Sequence, residues 1–281
     1  MEFEIRIVPD AKFGTESFRE LWRSRDLFFM LVWRDLAIRY KQTLLGPVWF
    51  LLQPLLPTLV FTVVFGRIAR VSTDGAPAFL FFLCNQIAWN YFAVDFNSTA
   101  NCLQTNLNLF TKVYFPRLVV PLASIAANTA AVAIQLGFFV VAWWWNKVHL
   151  ADGQQLHLTP LVFLTPLVFL LAAAQGLGFG LWMAALTGKY RDLQHLVPVI
   201  IQLWMYGSCI VFPLSQVPEH YRQWLSLNPV TFVSEAARRC LLGSGIVTWP
   251  FAAYSLLATA VVLVTGVLVY DRAARSFVDV A

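Results

Sequence analysis

A chain of 281 residues that is 59% apolar and 12% charged lies far from soluble globular composition, in which about a quarter of residues are charged. A mean hydropathy of +0.65 and repeated charge-free runs near the roughly 20 residues that cross a bilayer exclude a secreted domain, a cytosolic enzyme and a nucleic-acid binder. The net charge of +5 then records topology rather than an acidic partner.

The amino-terminal MEFEIRIVPD is acidic and lacks an uninterrupted apolar core, so no cleaved signal peptide is expected. Residues 1–43 form a segment of their own. Spaced at about 100° per residue, Phe29, Trp33, Leu36, Tyr40 and Leu44 fall on one stripe and Arg34, Asp35, Arg39 and Gln42 on the opposite face. That pattern predicts an amphipathic helix at headgroup depth, with Lys41 at its end.

Residues 44–281 read as the transmembrane region, with spans over about 44–66, 76–99, 118–145, 158–187, 195–213 and 249–270. Pro54 and Pro57 bend the first rather than end it. Six crossings put both termini on one side, and the segments on that side carry 14 of the 20 basic residues, which makes it cytoplasmic.

The stretch from about 215 to 243 is too charged for a crossing and reads as two short helices. Pro218 suits a first helical position, Asn228 and Pro229 an N-cap and N1 pair, and Gly243 a stop. At about 21 Å, Pro229 to Leu242 falls short of the bilayer core, so a re-entrant or interfacial hairpin is expected. Glu235 and Arg239, four residues apart, can pair across one turn.

No phosphate loop, H-E-x-x-H, G-x-S-x-G or G-x-G-x-x-G occurs, so the chain holds no catalytic set and binds no cofactor of its own. No metal site is indicated: the four histidines sit in loops or at span ends, and the four cysteines form no CxxC pair and read as small apolar fillers. Asn85, Gln86, Asn90 and Asp95 concentrate in the second span, the amides suited to bonds between helices and Asp95 either functional or structural. Trp143, Trp144 and Trp145 read as an interfacial belt. Trp49, Phe50, Trp89, Tyr91, Phe92, Trp204 and Tyr206 are candidates to line a passage and stack on sugar rings, although core packing accounts for most of them equally well.

Three segments resemble the permease subunits of ABC transporters that export lipid-linked polysaccharide of the O-antigen type, and more distantly teichoic acid and capsule. They are LVWRDLAIRYKQTLLGPVWFLLQP (31–54), NLNLFTKVYFPRLVVPL (106–122) and VFPLSQVPEHYRQWLSLNPVTFVSEAARRCLLG (211–243). The resemblance implies a homodimeric permease in a bacterial cytoplasmic (inner) membrane, paired with two ATPase subunits that hold ATP and magnesium. The implied substrate is a polyprenyl-diphosphate-linked polysaccharide, in a channel between the two copies. It implies a coupling helix at about 102–117, with Asn106, Leu109, Phe110, Lys112, Tyr114, Phe115, Pro116 and Arg117 facing the ATPase. Pro213, Pro218, Tyr221, Trp224, Asn228, Pro229, Glu235 and Arg239 would form an outer gate. Trp33, Arg34, Arg39, Tyr40 and Lys41 would lie where the lipid-anchored head enters, with Arg34 and Arg39 near the diphosphate. A small-drug or lipid exporter, an enzyme acting on polyprenyl-phosphate sugars, and an ATP-independent channel or carrier are the rival readings.

Overall fold

The computed structural model describes residues 22–40, 46, 48–112, 115–149 and 159–280. Among them every regular element is helical. We number the α-helices α1 (Arg25–Tyr40), α2 (Val48–Phe61), α3 (Ala78–Ala100), α4 (Cys102–Thr105), α5 (Leu107–Lys112) and α6 (Val119–Val148). They continue with α7 (Thr165–Lys189), α8 (Leu196–Tyr206), α9 (Glu219–Ser226), α10 (Pro229–Leu242) and α11 (Trp249–Val280).

Four helical stretches are long and apolar enough to cross a membrane among the described residues: Val48–Ile68, Val119–Val148, Pro160–Lys189 and Trp249–Ala274. They match the first, third, fourth and sixth expected spans. The second, α3, has 23 residues, about 34 Å of helix, but carries too many polar groups to qualify on composition. Its surroundings explain this: 16 of its 23 residues are buried, so protein rather than lipid solvates it. Asn85 Nδ2 donates to the Ile210 carbonyl at 2.9 Å, and Asn128 Nδ2 donates to Asp95 Oδ1 at 2.7 Å. The second bond joins helix to helix, the first ties α3 to non-helical backbone at Ile210, and Asp95 lies buried within the bundle.

The fifth expected span, 195–213, is a regular α-helix over only part of its length. Helix α8 has only 11 residues, about 16 Å, and the chain then turns irregular, with Cys209 at φ +52°. Cys209, Ile210 and Val211 are all buried. Non-helical backbone is tolerated at depth only where protein covers it, and here the Asn85 amide satisfies one of its carbonyls.

Helix α2 shows how a proline is accommodated. Pro54 has no N–H to give to the carbonyl of Phe50, four residues earlier. Gln135 Nε2 of α6 donates to that carbonyl instead, at 2.8 Å. Thr58 Oγ1 donates to the Pro54 carbonyl at 2.6 Å, and the helix widens into a π turn over Thr62–Ile68. Pro54 and Pro57 stay inside the helix, as the sequence predicts.

Helix α7 is the axis of the bundle, packed on α3, α10 and α11. Gly176 and Gly180 face α3, while Gly178 faces α11, a small-residue pattern that lets backbones approach closely. Gln175, fully buried between them, donates to the Pro229 carbonyl, Ser255 Oγ and Thr259 Oγ1 at 3.1–3.2 Å, tying α7 to α10 and α11.

Trp143 is buried, whereas Trp144 and Trp145 are exposed as a belt requires. All four cysteines are free and buried, as expected of apolar fillers. Burial pushes the Cys102 thiol up to about 12, with its Sγ 3.5 Å from the Tyr270 hydroxyl. The thiolate that maleimide attacks is therefore scarce at Cys102 at pH 8. Maleimide at pH 8 is expected to leave the folded chain unlabelled and to take up four equivalents after denaturation in detergent, read by intact mass. Labelling of the folded chain would show that a thiol is open.

Candidate functional site

Two ends of the bundle gather the expected functional residues. At one end, α1 lies along the first half of α6 with Leu31 buried and Leu27, Phe28 and Val32 packed beside it. Phe29, Trp33 and Ile38 are exposed on the other side. Phe29 and Trp33 of the apolar stripe point away from the bundle, while Arg34 and Asp35 point towards it. Arg34 Nη2 donates to Asp35 Oδ1 at 2.8 Å and to Asn106 Oδ1 at 3.0 Å, and Ser124 Oγ donates to Asp35 Oδ2 at 2.9 Å. A polar knot therefore fastens the interface helix to the elbow before α5 and to α6. Within the chain, Arg34 Nε and Nη2 are engaged in this knot. The side chains of Arg39 and Tyr40, and all of Lys41, lie outside the described residues.

The expected coupling helix at 102–117 is broken into α4 and α5, with Asn106 at the joint. Asn106 Nδ2 donates to the Cys102 carbonyl at 3.1 Å while its Oδ1 accepts from Arg34, so this one amide sets the angle of the elbow. Phe110 and Phe115 do not face outward. They stack at 5.6 Å with 19° between rings and are buried with Leu103, Val119 and Tyr270; Leu109 packs on the same cluster. The aromatic pair closes the loop onto the bundle rather than offering it to a partner. Pro116 and Arg117 are half-buried where α6 begins. Tyr114 and the side chain of Lys112 lie outside the described residues.

Between α1, the end of α3, the elbow and the start of α8 lies an open cleft of about 580 Å³. Arg34, Asp35, Asn97, Asn101, Thr105 and Gln194 contribute to its walls. The asparagine, serine and threonine residues of this corner are plain in the sequence, but nothing in their spacing shows that α1 and α8 enclose them.

The aromatics expected to line a passage divide. Phe50, Trp89, Tyr91 and Phe92 are buried inside one chain, which makes them packing residues. Phe92, Phe96 and Phe179 set their rings edge-on to Trp204 at 4.7–6.0 Å, a geometry that aromatic quadrupoles favour. Trp49 and Tyr206 are exposed and Trp204 is half-buried; these three alone of the seven reach the surface.

At the other end stand α9 and α10, the expected short pair. Asn228 is the N-cap of α10, its Oδ1 accepting from Val230 N at 3.1 Å, with Pro229 at the first turn and Gly243 closing the helix at φ +75°. The same oxygen accepts from Trp204 Nε1 at 3.1 Å, and Asn228 Nδ2 donates to the Gly207 carbonyl and Ser208 Oγ, both at 2.9 Å. Asn228→Ala removes the cap, worth about 1 kcal/mol, together with three further bonds. The expected result is a lower unfolding temperature, with Asn228→Ser, which keeps the cap, losing less.

Pro218 caps α9 from one position before its first helical residue, and Pro213 is buried at the entry to the pair. Tyr221 and Trp224 are exposed on α9. Helix α10 is the opposite case, with 13 of its 14 residues buried.

Glu235 does not pair with Arg239. Its partner is Arg238, three residues on, and both side chains are wholly buried. Glu235 Oε1 also accepts from Leu214 N at 3.0 Å and Oε2 from Ile246 N at 2.8 Å, while the Arg238 guanidinium lies 4.8 Å from the Phe81 ring centroid. Arg239 is exposed and donates to the Gly243 carbonyl at 3.2 Å. The loop amides decide the choice of partner: they draw the carboxylate inward, away from Arg239.

An all-helical bundle with four bilayer-length apolar stretches, an interface helix knotted to a helical elbow, and a short helix pair at the far end is a multi-pass membrane protein. The family model for ABC-2 type transporters matches residues 26–242. The chain belongs to that family. It is 31% identical to the O-antigen export system permease protein RfbA of Myxococcus xanthus over 218 residues, 75% of this chain and 78% of that protein. It is 24% identical to the polysialic acid transport protein KpsM of Escherichia coli over 242 residues, 84% and 89% of the two chains. Against the O-antigen export permease of Klebsiella pneumoniae it is 21% identical over 266 residues, 91% and 95% of each. These relatives are permease and transport proteins of polysaccharide export, and the chain is a transport component like them.

Proposed function

We propose that the chain is the membrane-embedded subunit of an exporter that moves lipid-linked polysaccharide of the O-antigen type across the bacterial inner membrane. A separate ATPase, holding ATP and magnesium, drives it. Two copies and two ATPases form the working unit, with a passage between the copies. The likeness to the Myxococcus xanthus O-antigen permease across three quarters of the chain carries this reading.

On this reading the chain crosses six times, α3 and α8 completing the count in the shelter of protein, and both termini are cytoplasmic. The elbow of α4 and α5 receives the push of the ATPase, and α9 and α10 form an outer gate. Phe110 and Phe115 are occupied in the core and support the elbow from within. A capsule-type glycan is the second reading, favoured by the likeness to the polysialic acid transport protein.

Co-expression with candidate ATPase subunits, followed by purification in nanodiscs, tests the proposal. The expected result is a two-to-two complex whose ATP hydrolysis loses its response to lipid-linked glycan in Lys112→Ala and Tyr114→Ala while the complex still assembles. Phe115→Ala is expected instead to lower thermal stability, because it unstacks Phe110. Failure of every ATPase to bind, or glycan movement without one, overturns the reading.

A further inference from the structure

The cleft beside α1 has a chemical character that the exporter reading does not supply. Its volume of about 580 Å³ lies within the roughly 300–1,000 Å³ of small-molecule sites. Its only opposite charges, Arg34 and Asp35, are bonded to each other, and the Arg34 guanidinium is further engaged by Asn106. Among the described residues that line the cleft no further arginine or lysine stands ready for a diphosphate, which calls for guanidinium or ammonium groups. The rest of the wall is amides and hydroxyls, with His195 and Pro198.

These groups are arranged in a ladder. Asn97, Asn101 and Thr105 recur every fourth residue from the end of α3 into α4, one above another. Asn101 Nδ2 donates to the Asn97 carbonyl at 3.0 Å and to Asn97 Oδ1 at 3.2 Å, which orients the Asn97 side chain. Thr105 Oγ1 donates to the Asn101 carbonyl at 3.0 Å, which leaves its lone pairs as acceptors. Asn97 and Thr105 are exposed into the cleft, and the Oδ1 atom of Asn101, enclosed behind them, meets no donor. An NH₂ group and a hydroxyl acceptor two turns apart, with Gln194 also lining the cleft, suit a ligand whose own hydroxyls both donate and accept.

We propose that the cleft between α1, the end of α3 and the start of α8 is a binding site for an uncharged sugar unit of the exported glycan. This rests on the exporter reading and deepens it. The charge balance of the described lining favours a sugar over a diphosphate at this corner.

Saturation-transfer difference NMR on the full chain in nanodiscs tests the site. The probes are methyl glycosides of mannose, galactose and rhamnose, with inorganic pyrophosphate as competitor. At least one glycoside is expected to receive saturation from the wild type. Asn97→Ala with Thr105→Val is expected to reduce the effect about fivefold or more, the loss of one to two hydrogen bonds, with the unfolding temperature unchanged because both side chains are exposed. Pyrophosphate is expected to leave the signal in place.

Displacement of the glycoside by pyrophosphate, a signal that survives the double variant, or no saturation of any glycoside each overturns the proposal. ATPase pairing measured on the same preparation separates the two failures. Pairing without glycoside binding leaves the exporter reading standing and removes the site, whereas absence of pairing removes the exporter reading itself.

Discussion

Gly180→Leu is expected to abolish the folded protein. A Cβ at Gly180 would lie 2.5 Å from Thr99 Cβ and 3.1 Å from the Phe96 carbonyl, and one at Gly176 would lie 2.7 Å from Asp95 Cβ. Neither neighbour is the free end of a flexible side chain, so α3 must move away as a body. Alanine at either position is expected to cost about 1–3 kcal/mol through overpacking, and leucine more than the bundle withstands. Gly137 on α6 supplies the comparison, because nothing stands within 4 Å of its would-be Cβ. Gly137→Ala is expected to be neutral or to gain up to about 1 kcal/mol in helix propensity. Fluorescence-detected size exclusion after heating separates the cases, and a monodisperse, heat-stable Gly180→Leu would refute the close contact between α7 and α3.

The second large effect is expected at Glu235. Glu235→Ala leaves the Arg238 charge without its counter-ion and the amides of Leu214 and Ile246 without their acceptor. Breaking a buried pair from one side costs about 3–5 kcal/mol. Pairing Glu235→Leu with Arg238→Met removes both charges and is expected to recover much of that loss. The double variant still falls short of the wild type, because the two loop amides stay unbonded at about 1–3 kcal/mol each. A double-mutant cycle on unfolding temperature measures the coupling. Zero coupling between 235 and 238, or an equal coupling between 235 and 239, would sink the assignment.

What the sequence discloses follows how local each feature is. The cap at Asn228, the stop at Gly243 and the tolerated prolines of α2 depend on a few neighbouring residues and are read correctly. The helix of residues 25–40 is found, but not the bonds of its Arg34 and Asp35, because Asn106 and Ser124 lie far along the chain. The partner of Glu235 is missed for the same reason: periodicity ranks Arg238 and Arg239 alike, and Leu214 and Ile246 break the tie. Burial of Trp89, Tyr91 and Phe92 is illegible because α3 is enclosed on nearly every side and shows no polar face to mark the inside. The G-x-G-x-G run at 176–180 is a signal that sequence reasoning passes over, although small residues every fourth position in an apolar helix announce close packing.

The position of α7 has a mechanical consequence. Over residues 176–180, with glycine faces set against α3 on one flank and α11 on the other, it has little room to bend. The helix runs about 38 Å from Thr165 to Lys189, and a shift of α3 or α11 meets it first in that glycine stretch, where it has least room to yield.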